Sequence, residues 1–84
     1  MTQPNEYSVL AFYAFELVAD PHAEVKAHKT FLKGLDVTAR IYISEQGINA
    51  QLSAAKADAD KYIAWLRTRD PFKNVDIKIQ HFTT

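Results

Sequence analysis

Along this chain the spacing of apolar residues changes between two and three-to-four, and each change marks a new element. Residues 7–16, Y-S-V-L-A-F-Y-A-F-E, are apolar at both parities: Tyr7, Val9, Ala11, Tyr13 and Phe15 on one side, Leu10, Phe12 and Ala14 on the other. A strand apolar on both sides fits the middle of a sheet, covered on both faces. Asp20-Pro21 then predicts a helix start. The aspartate can cap free N–H groups, and proline at the first helical position lacks an N–H that would be orphaned anyway. Val25, His28, Phe31, Leu32 and Leu35 make the helix stripe, and Gly34 is expected to help end it.

Residues 38–44 and 48–53 alternate cleanly and predict a hairpin. Ala39, Ile41, Ile43, Ile48, Ala50 and Leu52 form a dry side, whereas Arg40, Tyr42, Ser44, Asn49, Gln51 and Ser53 form a polar one. Such a hairpin belongs to a sheet covered on one face only. Ser53 is the expected cap of a second helix over 54–69, with Ala55, Ala59, Tyr62, Ile63 and Leu66 as its stripe and Trp65 on the flank. Arg67 and Arg69 read as solvated charges in its last turn, and Pro71 as its stop. Asp58 and Asp60 read as first-turn charges favouring the helix dipole. Residues 75–82, V-D-I-K-I-Q-H-F, alternate as a last strand.

The order β-α-β-β-α-β predicts one α+β domain over 1–84 of the ferredoxin-like (acylphosphatase-like) kind. Its antiparallel sheet should have four strands in the order 4-1-3-2, with two helices on one face. The expected core is Leu10, Phe12, Val25, Leu32, Ile41, Ile43, Ile48, Leu52, Ile63, Leu66 and Ile77.

Composition narrows the function. The 84 residues are 48% hydrophobic, which suits a small globular domain. Ten basic and ten acidic residues leave no net charge, so the global basic excess of a self-sufficient nucleic-acid binder is absent. There is no cysteine, which removes disulfides, thiolate nucleophiles and cysteine-rich zinc sites, and is compatible with a reducing cytoplasm. The start, M-T-Q-P-N-E, lacks the basic and apolar regions of a signal peptide, and no apolar run is long enough to span a bilayer. No membrane partner is expected.

The ferredoxin-like fold hosts many functions, so individual residues must decide. His22, His28 and His81 are scattered without metal-ligand spacing, so no metal is expected. His28 lies on a helix stripe and reads as structural, while His22 reads as solvent-facing. Acylphosphatase chemistry needs a phosphate-cradling loop with an arginine after the first strand, and E-L-V-A-D-P has neither glycine nor arginine. A third strand I-N-A-Q-L-S lacks the aromatics of an RNA-recognition motif, although Tyr13 and Tyr42 can share the open face. What remains is E-Q-G-I-N, residues 45–49. Gly47 suits a hairpin closed by a type I turn and a bulge. The turn does not account for Glu45 at the strand end or for Asn49 inside a strand, where β-propensity disfavours it.

The hairpin R-I-Y-I-S-E-Q-G-I-N-A-Q-L-S, the aromatic first strand, the Asp20-Pro21 helix start, I-A-W-L-R and the following D-P-F resemble one known family. The chain is similar to the N-terminal domain of the rhodanese-domain-containing tRNA uridine hydroxylases, formerly an uncharacterised protein family. The resemblance implies oxygen-dependent formation of 5-hydroxyuridine at the tRNA wobble position, in the cytoplasm, with the catalytic cysteine in a rhodanese domain that follows. A cysteine-free domain would then catalyse nothing alone and hold no cofactor. It would pack on the C-terminal rhodanese domain and help present tRNA, with Tyr13, Arg40, Tyr42, Glu45, Gly47 and Asn49 as the interdomain or RNA-proximal residues. The alternative is a stand-alone protein-interaction or small-ligand-sensing module. Whether the gene continues past Thr84 into a rhodanese domain separates the two.

Overall fold

The computed structural model describes residues 6–69 and 72–83; Pro71, the expected helix stop, and the first five residues lie outside them. The elements are β1 (Glu6–Ala14), α1 (Pro21–Leu32), β2 (Val37–Ser44), β3 (Gly47–Ala55), α2 (Lys56–Leu66) and β4 (Lys78–Thr83). The sheet is antiparallel throughout, in the order β2-β3-β1-β4, which is the expected 4-1-3-2 read from the other edge.

Local chemistry accounts for α1 as anticipated. The Asp20 carboxylate accepts the Ala23 N–H at 3.1 Å, and Pro21 occupies the first turn. The helix ends at Leu32, before Gly34, which is not in the positive-φ region. The start of α2 differs from expectation. Ser53 does not cap it, because β3 continues to Ala55, pairing Ala55 with Tyr7 of β1 and Ala54 with Val37 of β2. Two flanking ladders outweigh one side-chain cap, and α2 opens at Lys56 without a side-chain cap bond.

The end of α2 is also corrected. The helix stops at Leu66, and both arginines beyond it hold hydrogen-bond partners, Arg67 while exposed and Arg69 while half-buried. Arg69 grips both oxygens of Glu24 on α1, at 2.9 and 3.0 Å, and lies over the Trp65 ring at 4.8 Å. The Arg67 guanidinium donates to the carbonyl oxygens of Lys73 and Val75. Those contacts and the turn bond from Val75 N–H to the Phe72 carbonyl hold residues 72–77 out of the ladder. This is why β4 begins at Lys78 and not at 75.

Helix α2 packs over β1 and β3, and α1 over β2. The core holds Leu10, Phe12, Ile48, Leu52 and Leu66 as anticipated, with Leu32, Ile41, Ile43, Ile63 and Ile77 half-buried against it. Val25 is half-buried as well. Tyr62, on the expected stripe of α2, is fully buried, and Val18, Phe72 and Val75 are also buried, although they were not among the expected core residues. His28 is buried between the helices. Its Nδ1 lies 2.9 Å from the Glu24 carbonyl, so it must be the protonated nitrogen, and Nε2 accepts the Tyr62 hydroxyl at 3.0 Å. Burial lowers the His28 pKa from its ordinary value, with the Glu24 carbonyl and carboxylate opposing and Arg69 reinforcing the fall. Burial also pushes the Tyr62 phenol up.

Candidate functional site

Both helices lie on one side of the sheet, so the other side is bare within the described residues. The two-sided apolarity of β1 is therefore not matched by two-sided cover: Leu10 is 0% exposed but Tyr13 is 68% exposed. Register builds the bare face in rows. Tyr42, Asn49 and Tyr13 lie side by side across β2, β3 and β1. The next row runs Arg40, Gln51, Ala11 and Lys78, and the row after it Thr38, Ser53, Val9 and Gln80. No carboxylate stands at any position of these rows.

The row of two tyrosines and an asparagine ends in a hollow of about 330 Å³. Tyr13, Phe15, Tyr42, Ser44, Gly47 and Asn49 are among its lining residues. Phe15 sits edge-on to Tyr13 at 5.9 Å and is 86% exposed, as is Leu17. The sequence pattern assigned Phe15 to the strand; β1 in fact ends at Ala14, which frees the ring to turn to the rim.

The hairpin turn shapes this hollow. Glu45 and Gln46 join β2 to β3, and Ser44 pairs with Gly47. No described residue other than glycine has positive φ, which excludes the primed turns that need it at the two turn positions. Gly47 instead carries the unusual angle, φ 147°, next to the turn. A Cβ there would overlap the Ala14 carbonyl oxygen, so glycine is required twice over, by angle and by close approach. The Gln46 N–H bonds the Ser44 hydroxyl at 3.2 Å. The Glu45 carbonyl accepts the Val18 N–H at 3.0 Å, tying the loop after β1 to the turn.

The structure thus gathers four of the six anticipated residues, Tyr13, Tyr42, Gly47 and Asn49, around one hollow. Arg40 lies one row away and lines the adjoining surface with Gln51. Glu45 stands apart: its side chain is exposed beyond the hollow, and its backbone does the holding. Phe15 was not singled out for the hollow, because the alternation of β1 runs on through it in sequence and places it in the strand. Among the described residues no group of three or more His, Cys, Asp or Glu side chains could hold a metal ion, and no helix is long and apolar enough to cross a membrane.

Sheet order, connectivity and single-sided cover define an α+β domain of the ferredoxin-like class with an aromatic hollow at one end of its bare face. The chain belongs to the family described as the UPF0176 acylphosphatase-like domain, whose model matches residues 7–84. It is also similar to proteins named tRNA uridine(34) hydroxylase. That of Protochlamydia amoebophila is 49% identical over 79 residues, covering 94% of this chain and 25% of the relative. Those of Chlamydia trachomatis serovar D and Chlamydia felis are 48% and 51% identical over 77 residues, each covering 92% of this chain and 24% of the relative. The chain spans about a quarter of the length of these relatives. Acylphosphatase likeness is one of fold: the loop after β1 has no arginine to hold a phosphate.

Proposed function

We propose that this chain is the non-catalytic N-terminal module of a cytoplasmic tRNA uridine-34 hydroxylase, packing on a rhodanese domain that follows it and helping to present the tRNA. The observation that carries this reading is the bare sheet face on which Tyr13 and Tyr42 are 68% and 70% exposed. Tyrosine and arginine are favoured interface residues, and an antiparallel sheet open on one side offers a ready surface for them. The relatives' names supply the reaction, and the roughly three quarters of their length beyond the matched segment supply room for the partner domain.

The chain has no cysteine, so a thiolate-dependent step belongs to the remainder of such a protein. Its part is to position. The Gly47 turn and the Val18–Glu45 bond fix the rim of the hollow on a rigid sheet end, the placement a positioning surface requires. The decisive experiment uses the full-length protein carrying this segment. Tyr42→Ala should lower the amount of hydroxylated uridine 34 formed per folded enzyme, measured by mass spectrometry of digested tRNA. Undiminished modification by the double variant Tyr13→Ala/Tyr42→Ala would defeat the reading. It would mean that the bare face takes no part in docking the partner domain or presenting the tRNA.

A further inference from the structure

We infer that the hollow beside Asn49 is a nucleobase site: it takes one unstacked base of a single-stranded RNA, held between aromatic rings and met by the Asn49 amide. Three independent features point there. First, Tyr13 and Tyr42 stand on either side of Asn49 in one register row. Their backbones are two strand spacings apart, roughly 9.5 Å. That is wide enough for a flat ring to lie between or across the phenols, with Phe15 extending the aromatic wall edge-on to Tyr13. Aromatic rings on the open face of a sheet are the usual means of holding a splayed-out base.

Second, the floor of this aromatic cleft is an amide. Asn49 is exposed inside a strand, where neither the turn nor the core needs it. An asparagine side chain offers a donor and an acceptor side by side, the pattern that matches a base edge. A protein partner docking on tyrosines would be served as well by an apolar or charged residue in that place.

Third, charge is sorted between the faces. The chain is neutral overall, yet the strand rows of the bare face bear Arg40 and Lys78 and no carboxylate. Asp20, Glu24, Asp36, Asp58 and Asp60 all lie on or beside the helices. Glu16 and Glu45 lie in the loops at the hollow end of the sheet, and Asp76 lines the bare surface together with Tyr13, Asn49, Gln51 and Lys78. A nucleic-acid backbone leaving the hollow along β1 and β3 would meet Arg40 and Lys78 in the rows it crosses, with Asp76 lining the same surface beside Lys78. The absence of net positive charge therefore does not argue against a local footprint of this size.

The inference deepens the presentation role given above by naming its ligand, and it can fail alone. The chain closes its own core, so it can be tested as it stands. Amide and side-chain NMR shifts are followed while it is titrated with single-stranded hepta-uridine RNA and, separately, with inorganic polyphosphate of matched charge. The RNA should move the signals of Tyr13, Tyr42, Phe15 and the Asn49 side-chain amide, whereas polyphosphate should move only those near Arg40 and Lys78. Tyr13→Ala and Tyr42→Ala should each weaken RNA binding by about 5- to 150-fold, the range for one lost base stack. Arg40→Gln should lower the salt dependence while sparing the aromatic shifts.

RNA that leaves the four signals unmoved, or polyphosphate that moves them equally, would overturn the nucleobase site. If hydroxylation in the full-length protein still falls with Tyr42→Ala in that case, the face binds protein and only the presentation role survives. If RNA binds as expected but hydroxylation is indifferent to Tyr42, the site stands and the presentation role falls.

Discussion

Leu10 and Phe12 on one face of β1 are 0% and 4% exposed, while Tyr13 on the other is 68% exposed, although all three are large and apolar enough to fill a core. The same division runs through β3, where Ile48, Ala50, Leu52 and Ala54 are buried and Asn49 and Gln51 lie open between them. Side chains two apart share a face, so a single strand serves two purposes without compromise. The helix-covered face holds the domain together, and the bare face is left available. Stability and function are therefore separable by residue parity, and substitutions at neighbouring positions should have opposite consequences.

The largest effect belongs to the covered face. Leu10→Ala removes a fully buried side chain at the centre of the sheet and should cost about 3–4 kcal/mol. In a domain this small that approaches its whole stability, so chemical denaturation should show little cooperative transition left. Gly47→Ala comes next, at about 2–3 kcal/mol. Positive φ and the Ala14 carbonyl both oppose a Cβ, so the turn or the end of β1 must move. A cost below about 0.5 kcal/mol in urea melts, the level of an ordinary surface change, would show that the turn is not fixed by Gly47.

A smaller effect sits between the helices. Tyr62→Phe deletes the hydroxyl that satisfies His28 Nε2 and should cost about 1–2 kcal/mol. The same histidine predicts a pH dependence. Its folded pKa is lowered by burial, so the unfolded chain binds the extra proton first as pH falls. The stability it contributes is full above the ordinary histidine value of about 6.5 and is lost as pH drops through the lowered folded value. The groups facing it are Glu24 on α1 and Tyr62 and Arg69 at α2 and just beyond. Urea midpoints should be nearly equal at mildly alkaline and neutral pH and fall at mildly acidic pH, and His28→Leu should flatten that fall.

The element order and sheet order were legible because the two periods, 2 and 3.6, are clean in this chain. The four-residue cluster at the hollow was legible in part. Parity alone puts Tyr42, Asn49 and Tyr13 on one side, and Gly47 announces the turn. What could not be read were events decided across the chain. Ser53 looks like a cap until both ladders beside it are known. Arg69 looks solvated until Glu24, 45 positions earlier, is seen to receive it. Val75 looks like the first residue of the last strand but, with Phe72, fills the core beneath a turn held by Arg67. Phe15 continues the alternation of β1 in sequence and leaves it in space. Each miss is a tertiary contact overriding a local preference.

The smallest expected change in stability tests the division of the faces most sharply. Asn49 sits between buried Ile48 and buried Ala50, so its neighbours in sequence are among the residues least tolerant of change. It is itself exposed, pairs through its backbone with Tyr13 and Tyr42, and makes no side-chain hydrogen bond that the fold depends on among the described contacts. Asn49→Ala should therefore leave the unfolding free energy in urea within about 0.5 kcal/mol of the parent, and alanine's modest β-propensity is the main cost to set against that. On the proposed function, the full-length protein carrying the change should nonetheless form less hydroxylated uridine per folded molecule, because the amide at the floor of the hollow is gone. Threonine at the same position is the control. Its branched side chain favours the strand and keeps a polar group, but it lacks the paired donor and acceptor of an amide. Asn49→Thr should therefore stabilise the fold slightly while still lowering turnover. Destabilisation by Asn49→Ala with turnover per folded molecule unchanged would mean that the bare face, too, is built for stability.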